Sequence, residues 1–271
     1  MVTVAELTDP KSNYLVKPLL IGSGFNICET CYAAIPTASY TRCFQCNKHI
    51  ATGYLLADLV VPIAMAVESL HPDLDQYPYE LLNYKSHPNP TVADQFQMGL
   101  LATLWRWLKV HENCLINTIY PPTEYDHTSP ASFDLVTSVP STRGRVGSHP
   151  LEVMLRDRIP ITQSRYESTL RASSNLGDRR QMSNAMFSPK VPLVNIEGKT
   201  ILLIDDTWTT GAKAQSAAHS LKIAGAKKVV ILVLGRWLSP TTLEPFKSIS
   251  TSYVSQIRET TWNWDSCVLN P

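Results

Sequence analysis

The run Ile201-Leu202-Leu203-Ile204-Asp205-Asp206-Thr207-Trp208-Thr209-Thr210-Gly211-Ala212 constrains this chain more than any other stretch. Four apolar residues predict a buried strand of a parallel sheet, and two carboxylates stand where that strand must end. A Thr-Thr-Gly turn then leads into residues 212–224, where Ala214, Ala217, Leu221 and Ala224 repeat at helical spacing. Adjacent carboxylates can accept hydrogen bonds from two vicinal sugar hydroxyls. Amides of the loop and the first helical turn, unpaired within the helix, point toward a phosphate. The stretch predicts a pocket for a sugar phosphate. The plainer alternative is a strand end followed by a Thr helix cap, since Asp and Thr are ordinary helix starters.

Gly198-Lys199-Thr200 imitates the end of a nucleotide-binding P-loop. That reading fails because an earlier glycine would have to stand where Leu193 is, and the Lys-Thr pair would have to open a helix. Here the pair feeds a strand, so Glu197-Gly198-Lys199 is a turn.

Six cysteines occupy positions 28, 31, 43, 46, 114 and 267. Cys28-x2-Cys31 and Cys43-x2-Cys46 have nearly the spacing of a zinc ribbon or knuckle, in which two tight turns close a tetrahedron around Zn²⁺. Four thiolates leave no open position, so the predicted ion is structural. Two disulfides are the competing reading. His49 could substitute for one ligand, but the better expectation is a bystander. His111 and Cys114 imitate a ligand pair near a helix end, with nothing else nearby to complete it, so an ordinary helix terminus is expected. Cys267 has no reading of its own.

Bulk properties narrow the remaining classes. The formal net charge of +1 gives no global reason to expect a nucleic-acid or acidic-membrane partner. No apolar run approaches the roughly 18 residues that span a bilayer. Residues 1–20 mix Glu6, Asp9, Lys11 and two prolines, unlike a signal peptide, so a cytoplasmic protein is expected.

Along the chain, residues 1–52 are predicted to be the zinc module, with short strands at most. Residues 53–240 form an α/β domain whose segment 53–113 partly makes hood helices, and 241–271 is a tail. Leu59–Val67 is predicted as a strand with Pro62 at an edge or bulge. Helices are expected at 79–85, from 91 to about 112, and at about 150–156, with a loop over 117–131. Strands are expected at 133–139 and 228–234. The polar segment 158–192, carrying Arg165, Arg171, Arg179 and Arg180, is either a closing flap or a solvated loop. The alternation predicts an α/β fold with a doubly wound, mostly parallel sheet and ligands at the carboxyl ends of strands.

The 201–212 pattern resembles the phosphoribosyl-pyrophosphate (PRPP) motif of type I phosphoribosyltransferases. The resemblance implies that Asp205 and Asp206, also the catalytic candidates, hold the ribose hydroxyls. It implies that Thr209, Thr210, Gly211 and Ala212 wrap the 5′-phosphate. Thr207 and Lys213 complete the PRPP-binding set, with Lys213 standing where the family usually has threonine. A four-cysteine knuckle before such a core is similar to the ComF family, also called GntX-like or competence-type. Tyr84-Lys85, the strand end Ser138-Val139-Pro140 followed by Arg143-Gly144, and the positions of Gln163, Arg179 or Arg180, and Phe187 match further elements. Arg143-Gly144-Arg145-Val146-Gly147 replaces the family's Arg-Gly-Phe-Asn-Gln run.

In that superfamily an acceptor displaces pyrophosphate from C1 of PRPP without a protein nucleophile. The resemblance implies pyrophosphate binding by Pro140, Ser141, Thr142 and Arg143, Mg²⁺ bound with PRPP, and structural Zn²⁺ on Cys28, Cys31, Cys43 and Cys46. The expected function is phosphoribosyl transfer to an unidentified acceptor. The alternative is a non-catalytic PRPP-binding or single-stranded-DNA-binding accessory protein, with Tyr40, Arg42, Phe44 and Lys48 as contacts.

Overall fold

Chain order sets out the elements: helices α1 (Val4–Thr8) and α2 (Phe44–Ala51), strand β1 (Leu59–Val67), helices α3 (Gln76–Asn83) and α4 (Pro90–Ile119), and strand β2 (Leu135–Ser138). Helices α5 (Pro150–Val153) and α6 (Pro160–Gln163) follow, then strands β3 (Leu170–Ala172), β4 (Phe187–Pro189) and β5 (Thr200–Trp208), helix α7 (Ala212–Ile223) and strand β6 (Lys228–Leu238). The structure, a computed structural model, describes residues 3–68, 75–121, 130–143, 147–174, 177–238, 253, 255–257 and 259–269. Gly144, Arg145 and Val146 of the expected basic turn lie outside the described residues, as does much of the 117–131 loop.

Four strands pair in parallel in the order β1-β6-β5-β2. Side chains alternate between two cores. Ile201 and Leu203 of β5 face the layer containing α7, while Leu202 and Ile204 face α3, α4 and α5. Helices thus cover both faces, and the continuous apolar runs of β5 and β6 follow from burial on two sides. Each such Leu or Ile contributes about 1.5–3 kcal/mol on burial. Ala214, Ala217 and Ala218 let α7 lie close against the sheet. Pro62 is tolerated because β1 is an edge strand.

Both edges are met by other segments. The Met65 amide donates to the Val16 carbonyl (2.8 Å) in an antiparallel bridge on β1. On the far side, Val136 of β2 donates to Arg165 O (2.9 Å) and accepts from the Glu167 amide (3.0 Å).

Several expectations are corrected. The amino-terminal segment is more helical than predicted. Thr3 and Glu6 form a capping box that starts α1, and Cys43 stands at the N-cap of α2; the isolated bridge between Ile27 and Ala34 is strand-like. Helix α4 runs on to Ile119 because Leu115 and Ile116 continue its apolar stripe, so the loop begins later. The helix expected at 150–156 passes after Val153 into a π-helical turn, Met154–Arg158. Segment 158–192 carries α6 and an antiparallel β3–β4 hairpin. Its Arg165 forks onto Glu112, with Nη2 donating to Oε2 at 3.1 Å, which is a structural use of that arginine. The tail is also not loose where described: Tyr253 and Ile257 enter the α7-side core, and Trp262, Trp264 and Cys267 the opposite one. Among the described residues, no helix is long and apolar enough to cross a membrane.

One glycine position marks how tightly α3 seats on the sheet. A Cβ on Gly235 of β6 would stand 2.4 Å from Leu81 Cδ1 and 3.3 Å from Ala66 Cβ. Gly235→Val is expected to lower stability by about 1–3 kcal/mol, measurable by urea denaturation.

Candidate active site

Strand β5 delivers Asp205 and Asp206 to its carboxyl end, where both are buried yet border a cavity of about 480 Å³. The Asp206 amide donates to Asp205 Oδ1 at 3.0 Å. Asp206 Oδ2 accepts from Tyr84 Oη at 2.8 Å and is ion-paired with Lys85 Nζ. Two neighbouring acids therefore have opposite electrostatics. Burial, reinforced by the charge of Asp206, pushes Asp205 up to about 7. Burial also opposes ionisation of Asp206, but Lys85, Tyr84 and His149 outweigh it and hold this carboxyl at about 2.

The predicted phosphate loop borders the same cavity through Thr207, Thr209, Thr210, Gly211, Ala212 and Lys213. Gly211 is the N-cap of α7 in the left-handed region, with φ at +79°, and contributes no side-chain cap. Glycine is needed there twice over, because an added Cβ would also meet the Trp208 ring at 2.1 Å. Thr210 Oγ1 takes the Ala212 amide at 3.3 Å. The first-turn amides that follow belong to Lys213 and Ala214, both on the cavity wall.

The turn after β2 supplies the opposite wall: Pro140, Ser141, Thr142 and Arg143 all border the cavity. Thr142 is buried, and the Arg143 amide is turned onto Ser141 Oγ at 3.3 Å. The two stretches singled out in sequence thus share one crevice. None of the described residues of 158–180 lines it, so the flap reading gains no support. Lys85, His149 and Trp237 are additions to the predicted set. His149 caps α5 by accepting the Leu151 amide on Nδ1 at 3.2 Å and lies edge-on to Tyr84. The Tyr84-Lys85 pair carries a resemblance in the sequence, but nothing local ties it to Asp206. His149 and Trp237 carry no sequence signal.

The four predicted metal ligands also converge. Sγ atoms of Cys28, Cys31, Cys43 and Cys46 all lie within 4.8 Å of one another, with Cys31 and Cys43 at 3.7 Å. A tetrahedron with Zn–S bonds of about 2.3 Å has edges of about 3.8 Å. A disulfide would need about 2.05 Å, and all four thiols are free. The cluster can hold a structural zinc ion. Hydrogen bonds from Cys28, Cys43 and Cys46 draw the Cys31 thiol down, and the same mutual contacts push Cys46 up. Thiols packed this closely do not all ionise unless a cation joins them. His49 stays outside the cluster, as expected, with its buried ring edge-on to Trp208 at 6.3 Å.

One buried cation links this cluster to the crevice. Arg236 Nη1 donates to the carbonyls of Trp208 and Thr209, each at 3.1 Å, while its charge acts on Cys31. A last correction concerns His111 and Cys114, which do have a third companion: Cys267 brings its sulfur into their cluster.

No family model matches the chain. No curated protein matches it either. Among solved structures it is similar to one described as the structure of the allosteric regulatory enzyme of purine biosynthesis. Identity is 14% and the TM-score 0.27, over 61% of this chain and 40% of that one. So distant a likeness carries nothing about the crevice, and the chain spans less than half of that neighbour's length.

Asp205 holds its proton more firmly folded than unfolded. Its contribution to stability is therefore full below about pH 4 and is lost as pH rises through about 7. Asp206 runs the other way: its contribution is present above the ordinary carboxylate value and is lost as pH falls through about 2. Asp205→Asn should match the parent near pH 4 and exceed it near pH 8, on the order of a few kcal/mol, in denaturation curves at the two pH values. Gly211→Ala should cost about 1–3 kcal/mol by the same measurement, through strain and collision with Trp208.

Proposed function

We propose that this chain binds PRPP with Mg²⁺ in the crevice and transfers its phosphoribosyl group to an acceptor, releasing pyrophosphate. The observation that carries the reading is the convergence, in one cavity, of the acidic pair, the 209–213 loop and the 140–143 turn. These are the three devices the reaction needs, and they come from two separate stretches of the chain, 205–213 and 140–143.

Asp205 and Asp206 hold the ribose hydroxyls and fix the sugar's orientation. Loop amides and Lys213 take the 5′-phosphate, where the helix dipole and the ammonium both favour an anion. Pyrophosphate lies against the turn of Pro140, Ser141, Thr142 and Arg143, with Lys85 within the same cavity to offset its charge. The acceptor's lone pair bonds to C1 while the C1–O electron pair departs with pyrophosphate. The protein contributes positioning and charge stabilisation. Asp205 and Asp206 would offer hard oxygen donors to Mg²⁺, and the ion would supply shielding of the phosphate charge. The order of zinc module and core follows the ComF-like arrangement, which supports the reading from the chain's own residues.

A second reading has one observation in its favour. Phe44 is 70% exposed beside the cysteine cluster, and Lys48 lies over its ring at 4.6 Å, a surface on which unpaired bases can stack. The near-neutral chain weighs against it. A gel shift with single strands at low salt separates the two, because absence of binding removes the nucleic-acid role.

Calorimetry with PRPP and Mg²⁺ tests the preferred reading. The parent chain should bind, and the paired substitution Asp205→Ala and Asp206→Ala should weaken binding about 100-fold or more. Unchanged affinity in the doubly substituted chain would reject the assignment. Pyrophosphate release across a panel of bases and amines then identifies the acceptor.

A further inference from the structure

We infer that His111, Cys114 and Cys267 form a second metal site, for a zinc ion with one coordination position left to an outside ligand. The three ligand atoms lie within 4.8 Å of one another. His111 and Cys114 are three residues apart on α4, which puts them on one helix face. Their Nδ1 and Sγ atoms are 3.7 Å apart, close to the edge of about 3.6 Å expected between N and S ligands of tetrahedral zinc.

The imidazole is already set for this role. His111 is buried, and its Nε2 donates to the Trp264 carbonyl at 2.8 Å. With the proton on Nε2, the Nδ1 lone pair faces the two sulfurs. Zinc-bound histidines commonly have this outer hydrogen bond to a carbonyl, which fixes tautomer and ring direction. Trp107 packs beside the ring at 4.9 Å between centroids and limits its rotation.

The donor set selects the ion. Two thiolates and an imidazole suit zinc, whereas calcium and magnesium demand oxygen ligands. Three protein ligands leave a fourth position, and half-buried Cys114 marks the side on which it meets solvent. The four-cysteine cluster, by contrast, is closed. The ion would also fasten the carboxyl-terminal segment, through Cys267, to the outer helix α4. None of this depends on whether the crevice binds PRPP.

Native mass spectrometry of the full chain, reduced and reconstituted with Zn²⁺, should show two equivalents. Cys114→Ser and Cys267→Ser should each retain one, held by the four-cysteine cluster. Cobalt substitution reads the open position: added imidazole should change the visible spectrum of the parent chain and leave that of Cys114→Ser unaltered. A single equivalent in the parent chain overturns the inference, whether because nothing binds there or because Cys114 and Cys267 have joined as a disulfide, seen as a mass lighter by two hydrogens. Two equivalents retained in both serine variants overturn it as well, and an imidazole-insensitive parent spectrum overturns the open position.

Discussion

A guanidinium buried between a thiol cluster and a crevice needs compensation, and Arg236 finds it at Nη1 while its buried Nε has no hydrogen-bond partner among the described residues. A charge taken out of water costs several kcal/mol unless dipoles and counter-charges surround it. Carbonyls of Trp208, Thr209 and Trp237 meet one nitrogen, and the cysteines lie across from it. The same contacts fix the backbone immediately before Gly211. Trp208 completes the arrangement: its ring fills the space that Gly211 leaves empty, and its other side meets His49. The turn that forms one wall of the crevice is therefore held from beneath, by packing and by charge, as well as by the Thr210–Ala212 hydrogen bond within it.

The acidic pair depends on a comparable division of labour. Adjacent carboxylates at one strand end cannot both be freely ionised in a buried setting. Lys85 and Tyr84, arriving from the end of α3, stabilise the charge of Asp206 and leave Asp205 to carry the cost of burial. The crevice thus contains one firmly ionised acid and one poised near neutrality, beside the cations Lys85, Arg143 and Lys213.

Much of this was legible in the sequence because the chemistry is local. The 201–212 run carries its strand, its acids and its helix start within a dozen residues, so one window exposes the whole device. Cysteine spacing is similarly compact. Strands β1, β5 and β6 were readable because continuous apolar runs have few other uses at that length. What escaped is what tertiary structure assembles. His149, Trp237 and Arg236 have no pattern that marks them, and Cys267 acquires meaning only when the tail folds back onto α4. The amino-terminal helices were missed for another reason. The Thr3–Glu6 capping box starts α1, but so short a segment has too few apolar positions to show a period.

The segments lying along the sheet's two margins have a consequence for how copies of this molecule can meet. A bare outer strand offers a ladder of amides and carbonyls on which a neighbour's strand can zip. Here Val16 bridges Met65 near the carboxyl end of one border and residues 165–167 pair with Val136 on the other, while a proline interrupts the first. Extension of the β-structure from one molecule into the next is blocked at both ends. Self-association through these two borders is thereby disfavoured, which helps guard the apolar strands against runaway aggregation.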